Sequence, residues 1–423
     1  MLTNLLEELA REAPSDGDAP ELLWRRGRRV ARTQRLGTIA IAAVACVLLI
    51  ALGTATWQQR AVDLPATDAE TGTYLPTRFH PPSPYLPGTD SAGPMGRLVA
   101  TIDASRLGWL GGTEGLVGVS AETGAYAFLD LPDAATAYLG EALLSPDGRH
   151  VAYWTTGEVA DPIPALEGGT LNGYAVYDTV TGEVVTQTPR TERGIGGGTL
   201  VWFDPIHLGV EFGQMRDCCM STDARSMIFD LSTGQTSAIS SSLNTASTTG
   251  VGTVIVSGEE SVILETDGTT VPAQIPMTGG RINGSQFLAL TPDSKRVAAI
   301  FGNGIPGRIS VKNVDDDDVG DPLPGNYLGV TSWLDESHVA ALRGNSDSTD
   351  IDLVSVDISD GSTEVLSANA NNARFAINLL DSPVKNQPAP PHPRSPWIPT
   401  IGAAATIAVA AWALIVWRRR ARA

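Results

Sequence analysis

The most unusual stretch of the 423-residue chain is Met215-Arg216-Asp217-Cys218-Cys219-Met220. Two adjacent thiols between two thioethers offer soft sulfur donors of the kind Cu(I) prefers, and in an oxidising compartment the same thiols can close a strained vicinal disulfide. No histidine lies close in sequence, and ordinary loop thiols are the third reading of Met215, Cys218, Cys219 and Met220. Cys46 sits in an apolar run and reads as a small apolar side chain. Among the five histidines, His150, His207 and His338 are the candidates for a base or a metal cluster. The run Asp315-Asp316-Asp317-Asp318 gathers hard oxygen donors but lacks the spaced ligands and later Glu of a calcium loop, so it reads as a solvated turn. There is no Gly-x-Ser-x-Gly elbow, Walker loop or zinc-helix motif. The reading is therefore of a non-enzyme, with no catalytic residue, metal or cofactor.

The elements around the histidines explain their spacing. Four segments have the form strand, Asp-centred turn, apolar strand: 144–154, 200–210, 290–300 and 332–342. Their turns carry Ser145-Pro146-Asp147-Gly148, Asp204, Thr291-Pro292-Asp293 and Asp335. His150, His207 and His338 follow the turn at one shared slot, which Arg296 fills in the third copy. Catalytic groups must converge, whereas these recur, so the slot reads as structural. A second turn type alternates with the first, at 119–124, 177–182, 229–234, 264–268 and 356–361, each ending in Gly; 311–315 starts a looser copy. Glycine supplies the positive φ that such turns require. Two hairpins give four strands, and six copies between about Arg97 and Asp381 would take about 47 residues each, within the range of propeller blades; seven would take about 41.

Ser145-Pro146-Asp147-Gly148 before an apolar strand, with Thr291-Pro292-Asp293-Ser294 as a weaker copy, resembles the WD-repeat-like β-propellers of the TolB type. The resemblance covers roughly residues 97–381 and departs from the pattern at Trp202-Phe203-Asp204-Pro205 and Trp333-Leu334-Asp335-Glu336. It implies an all-β fold of six or seven blades. Residues 97–102 are expected to pair with 375–380 and close the ring.

Charge and hydropathy place this body in a longer plan. The whole chain has a formal charge of −18. Residues 58–396 hold 18 Lys and Arg against 41 Asp and Glu, a net of −23, while the two ends are basic or balanced. An acidic body argues against nucleic acid and disfavours acidic polymers and bare membrane surface as partners. Residues 36–57 and 397–417 contain no charged residue. The first, of 22 residues, would span roughly 33 Å as a helix at about 1.5 Å per residue, enough for a bilayer core. Trp397, Trp412 and Trp417 suit the interfaces of the second, and Gly402, Thr406 and Ala410 give it a small-residue face. A cleavable signal is the rival reading of the first span, but 35 residues precede it and its apolar run is too long. Six arginines between Arg25 and Arg35 and four after Trp417 put both termini in the cytoplasm and residues 58–396 outside.

The expected organisation is a cytoplasmic leader (1–35), a first transmembrane helix (36–57), a Pro-rich tether (58–96), an extracytoplasmic propeller (97–381), a second tether (382–396), a second transmembrane helix (397–417) and a basic tail (418–423). Within the leader, Asn4 with Glu7 and Asp18 with Pro20 mark starts of short amphipathic helices. Trp24 amid arginines suits a membrane surface, with a cytoplasmic partner at residues 1–35 as the competing reading. The function expected is non-catalytic binding or scaffolding of an extracytoplasmic protein or envelope ligand on one propeller face. The alternatives are a signalling protein that relays ectodomain occupancy to the leader, and an extracytoplasmic enzyme with its site on that face.

Overall fold

A computed structural model describes residues 72–391, except 109–110, 162–169, 217–223, 244–245, 249–251, 257–260, 274–287, 302–306, 317–319 and 345–349, together with 412, 415–416 and 418–419. The chain divides into two units, Leu64–Pro393 and a second made of Met1–Asp63 with Arg394–Ala423. Among the described residues no helix is long and apolar enough to cross a membrane. The leader, the first expected span and nearly all of the second lie outside those residues.

The larger unit is an all-β propeller built from successive antiparallel sheets. Among the described residues there are five four-stranded sheets and one three-stranded sheet. The second sheet, in order β5-β6-β7-β8, is made of β5 (Leu143–Leu144), β6 (His150–Thr156), β7 (Leu171–Asp178) and β8 (Val184–Gln187). The third repeats the order with β9 (Ile195–Trp202), β10 (His207–Gln214), β11 (Arg225–Asp230) and β12 (Gln235–Ile239). The fourth spans Ala246–Ala273, the three-stranded fifth Leu288–Asn313, and the sixth Tyr327–Ser367. All four Asp-turn units are hairpins, and the glycines of the second turn type at 124, 182, 234, 268 and 361 have positive φ.

The first sheet joins the two ends of the body. It comprises β2 (Leu98–Gly108), β3 (Gly111–Ser120), β4 (Tyr126–Phe128) and, as its inner strand, β24 (Ala373–Phe375). Closure is by Ala100↔Phe375, Thr101↔Arg374 and Ile102↔Ala373, reinforced by a two-pronged Arg374–Asp103 ion pair at 2.9 and 2.7 Å. Of the expected partners, Phe375 pairs, whereas Ile377–Leu379 forms a 3-10 turn.

The Pro-rich lead-in differs from a free tether. From Gly72 onward it lies along the first sheet with Leu75, Phe79 and Leu86 buried. Proline excludes helix but not extended packing, and these apolar residues are spaced between the prolines. β1 (Leu75–Pro76) pairs in parallel with β25 (Val384–Lys385), so lead-in and lead-out run side by side. Both touch the turn after β3: Tyr74 donates its amide to the Ala121 carbonyl at 2.9 Å, and the Gln387 side chain lies against Gly124.

Between sheets, the middle strands such as β6, β7 and β10 pack buried side chains on both faces, whereas outer strands such as β8 and β12 are largely exposed. Trp154, Tyr174, Trp202, Phe212 and Phe229 fill the joint of the second and third sheets. Tyr327, Val339, Val354 and Val356 do the same for the fifth and sixth.

Candidate functional site

Each four-stranded sheet has two kinds of end. At one end lie the Asp turns and the Gly turns; at the other lie the crossings to the next sheet. The turn residues singled out from sequence are all at the first end, and they are occupied. Asp147 accepts from Ser145 Oγ at 2.7 Å and from the Arg149 amide at 3.2 Å, while Ser145 Oγ accepts from the His150 amide at 2.9 Å. Pro146 starts the turn, and Gly148 completes it at φ +76°. A Cβ at Gly148 would lie 2.0 Å from the Leu98 carbonyl oxygen, so glycine is required twice over. Thr291, Pro292 and Asp293 copy the arrangement, with Thr291 Oγ1 donating to Asp293 at 2.6 Å and accepting from the Arg296 amide at 3.0 Å.

Asp204 accepts from the amides of Ile206 and His207, both at 2.9 Å, and pairs with His207 Nδ1 at 2.7 Å. Asp335 does the same for Ser337 and His338. Burial pushes the Asp335 carboxyl up, but the Ser337 and His338 donors outweigh it and hold the group at about 2. The Ser232 and Thr233 hydroxyls likewise hold Asp230, in a Gly turn, at about 2.

His150, His207, Arg296 and His338 are each the first residue of the second strand in their hairpins. The slot has a structural use. His150 stacks on Trp202 of the next sheet at 6.1 Å, with Nδ1 3.1 Å from the Pro205 carbonyl oxygen; Arg296 lies 4.8 Å over Trp333 of its next sheet. Trp202 Nε1 donates back to the Leu143 carbonyl at 3.2 Å, and Trp333 Nε1 to the Ala289 carbonyl at 3.0 Å. The motif departures at Trp202 and Trp333 are thus two copies of an inter-sheet latch. Burial pushes the His150 imidazole below its usual range and keeps it neutral.

At the opposite end of the second and third sheets lies a cavity of about 670 Å³, walled by residues 190–193 on one side and by Gln214, Met215 and Arg216 on the other. The register places it: Gln214 of β10 pairs with Ile195 of β9 at the end remote from the Asp204 turn. Arg190 and Arg216 are exposed and Arg193 is half-buried. Three arginines and one acidic residue, Glu192, are among the lining residues.

The walls are fixed. Thr191 Oγ1 donates to the Gly194 carbonyl at 2.7 Å and accepts from its amide at 3.0 Å; the Met215 amide donates to the same carbonyl at 3.1 Å. Gly194, at φ +96°, turns the chain where a Cβ would strike Thr170 and the Leu171 carbonyl. The Asp161 amide donates to the Glu192 carbonyl at 2.8 Å, and the Asp161 carboxylate pairs with Arg193 at 2.8 Å.

Of the sulfur candidates, Met215 is buried and lines this cavity, whereas Cys218, Cys219 and Met220 lie outside the described residues. Among the described residues no three His, Cys, Asp or Glu side chains are placed to hold a metal ion. Of the four-Asp run, Asp315 and Asp316 are exposed, with Asp316 taking a hydrogen bond from Asn313 at 2.6 Å; Asp317 and Asp318 are not described. The arginines escaped sequence reading because they come from two segments joined only by the sheet.

No family model matches the chain, and no curated protein matches it. Among solved structures it is similar to an oligogalacturonate lyase in complex with manganese, at 15% identity and a TM-score of 0.40, over 63% of this chain and 74% of that one. TolB from Acinetobacter baumannii follows at 14% identity and 0.38, over 66% and 65%. The protein lmo1340 from Listeria monocytogenes EGD-e is at 10% identity and 0.39, over 69% and 95%. Enzymes and non-enzymes both occur in this group, which includes an acylaminoacyl peptidase from Pyrococcus horikoshii. No activity carries over from any of them.

Proposed function

We propose that this chain is a membrane-anchored, six-bladed propeller of the TolB type that binds an extracytoplasmic protein or envelope ligand without catalysis. The observation that carries the reading is the braced, open cavity at the end of the sheets remote from the Asp turns. Propellers present ligands with such crossings while a rigid ring holds them in place. Counting the three-stranded fifth sheet as a blade supports six. Groups held away from their usual pKa include turn aspartates, core tyrosines such as Tyr153 and Tyr174, His150, Arg149 beside Asp178, and Glu141, whose carboxyl is raised by burial; most have structural partners or surroundings. Their employment in the scaffold favours binding over chemistry.

The anchoring part of the proposal rests on the uncharged runs at 36–57 and 397–417 and their arginine flanks. The parallel pairing of β1 with β25 sets lead-in and lead-out side by side on the body. The test is site-specific photo-crosslinking in cells, with the crosslinker at Glu192 beside the cavity or at Glu183 in a turn of the second sheet. Both side chains are exposed. Adducts from Glu192 and none from Glu183 are expected; adducts from Glu183 alone, or from neither, would refute the reading. For topology, single cysteines at Ser15 and Glu336 are placed in a chain whose own cysteines are serine. An impermeant thiol reagent should reach Glu336→Cys and miss Ser15→Cys.

A further inference from the structure

We infer that the cavity between the second and third sheets binds a small, multiply charged oxyanion through Arg190, Arg193 and Arg216. This deepens the binding role proposed above and rests on it.

The argument starts from scarcity. Between Arg149 and Arg281 the chain has only four basic residues, Arg190, Arg193, Arg216 and Arg225, in a body of net charge −23. Three of the four line one cavity. Solubility does not call for this, because the body is already far from neutral. The guanidinium fork matches the paired oxygens of a carboxylate or phosphate.

The site is also prepared for that use. Arg193 is oriented by Asp161 and its chain segment by the Asp161–Glu192 hydrogen bond, so this guanidinium is held in place before any ligand arrives. Arg190 and Arg216 belong to the two segments that line the cavity, and these segments are tied together by the Met215–Gly194 hydrogen bond. A preformed site loses less side-chain freedom on binding. Glu192 in the lining and Asp161 behind it limit the excess of positive charge, which favours a compact anion that reaches two or three forks over a long polyanion that the acidic surface would repel.

The test is calorimetric titration of the full chain in detergent with citrate and, separately, with inorganic phosphate, against sodium chloride at matched ionic strength. Saturable binding of either oxyanion, absent with chloride, is expected. Arg190→Gln and Arg216→Gln should each weaken it about tenfold or more, as loss of a charge-assisted hydrogen bond does. Arg225→Gln, on the same end but outside the cavity, should leave it unchanged. Arg190→Lys, which keeps the charge and loses the fork, separates fork recognition from simple attraction and should also weaken binding. Unaltered unfolding midpoints would show that the variants are folded. Citrate preferred over phosphate would assign a carboxylate ligand, and the reverse a phosphate. Heat matching that of chloride, or equal affinity in the wild type and both glutamine variants, overturns the inference. Glu192 adducts without oxyanion binding would remove this inference alone and leave the binding role; absence of both would remove the two together.

Discussion

At the Asp-turn end of the sheets, Asp147, Asp204, Asp293 and Asp335 spend their carboxylates on donors within three residues; at the other end, Arg190, Arg193 and Arg216 come from two segments and meet around one cavity. The first arrangement is local and closes hairpins. The second is assembled only when β9 and β10 pair. Carboxylates at the first end therefore close the hairpins of the ring, and the arginines at the second are those of the anion site inferred above. Substitutions at the two ends should separate these properties.

The largest effect is expected at the latch beside the turns. Trp202→Ala should cost about 3–5 kcal/mol, because the buried indole fills the joint between sheets and its N–H serves the Leu143 carbonyl. Urea denaturation of the full chain in detergent would measure it, and a cost below that of an exposed substitution would break the assignment of the slot. Gly148→Ala comes next, at about 2–3 kcal/mol, from positive φ and collision with the Leu98 carbonyl. The same measurement on Ser294→Ala, where φ is +59° but serine is already tolerated, should show much less.

Smaller effects should appear in pH dependence. Because the folded pKa of Asp335 is lowered to about 2, its contribution is present above the unfolded value near 3.8 and disappears as the pH falls through about 2. Asp335→Asn should therefore flatten the loss of stability between about pH 4 and 2. His150 is also lowered in the fold, so it stabilises above 6.5 and progressively less as the pH falls below that value. His150→Gln should flatten the curve below pH 6.5 if the imidazole is buried neutral against Trp202. The smallest change in stability, within about 0.5 kcal/mol, is expected for Arg190→Gln, an exposed position outside every turn. A large loss of stability there would blur the distinction between the two ends.

Local features were readable in the sequence. The Asp and Gly turns fix hairpins by hydrogen bonds that reach only two to five residues, so their spacing alone reveals the strands and the repeat. Trp202 and Trp333 looked like departures from the repeat, because their partners Leu143 and Ala289 belong to the preceding sheet. The strap at residues 72–96 read as a tether, since proline content speaks against helix but says nothing of what Leu75, Phe79 and Leu86 will meet. The arginine cavity was masked in the same way: net charge is a sum over the surface, and recognition depends on where a few of its members lie.

The ring closes between residues made at very different times. Asp103 and Arg374, the ion pair that joins β2 to β24, stand 271 positions apart. At roughly 5–20 residues per second, synthesis of the intervening chain takes about 14–54 s. Throughout that interval β2 has β3 on one side and no inner strand on the other. The first sheet to emerge is thus the last to be completed, and its open edge is the point at which a nascent chain is most exposed to wrong pairing with a neighbour.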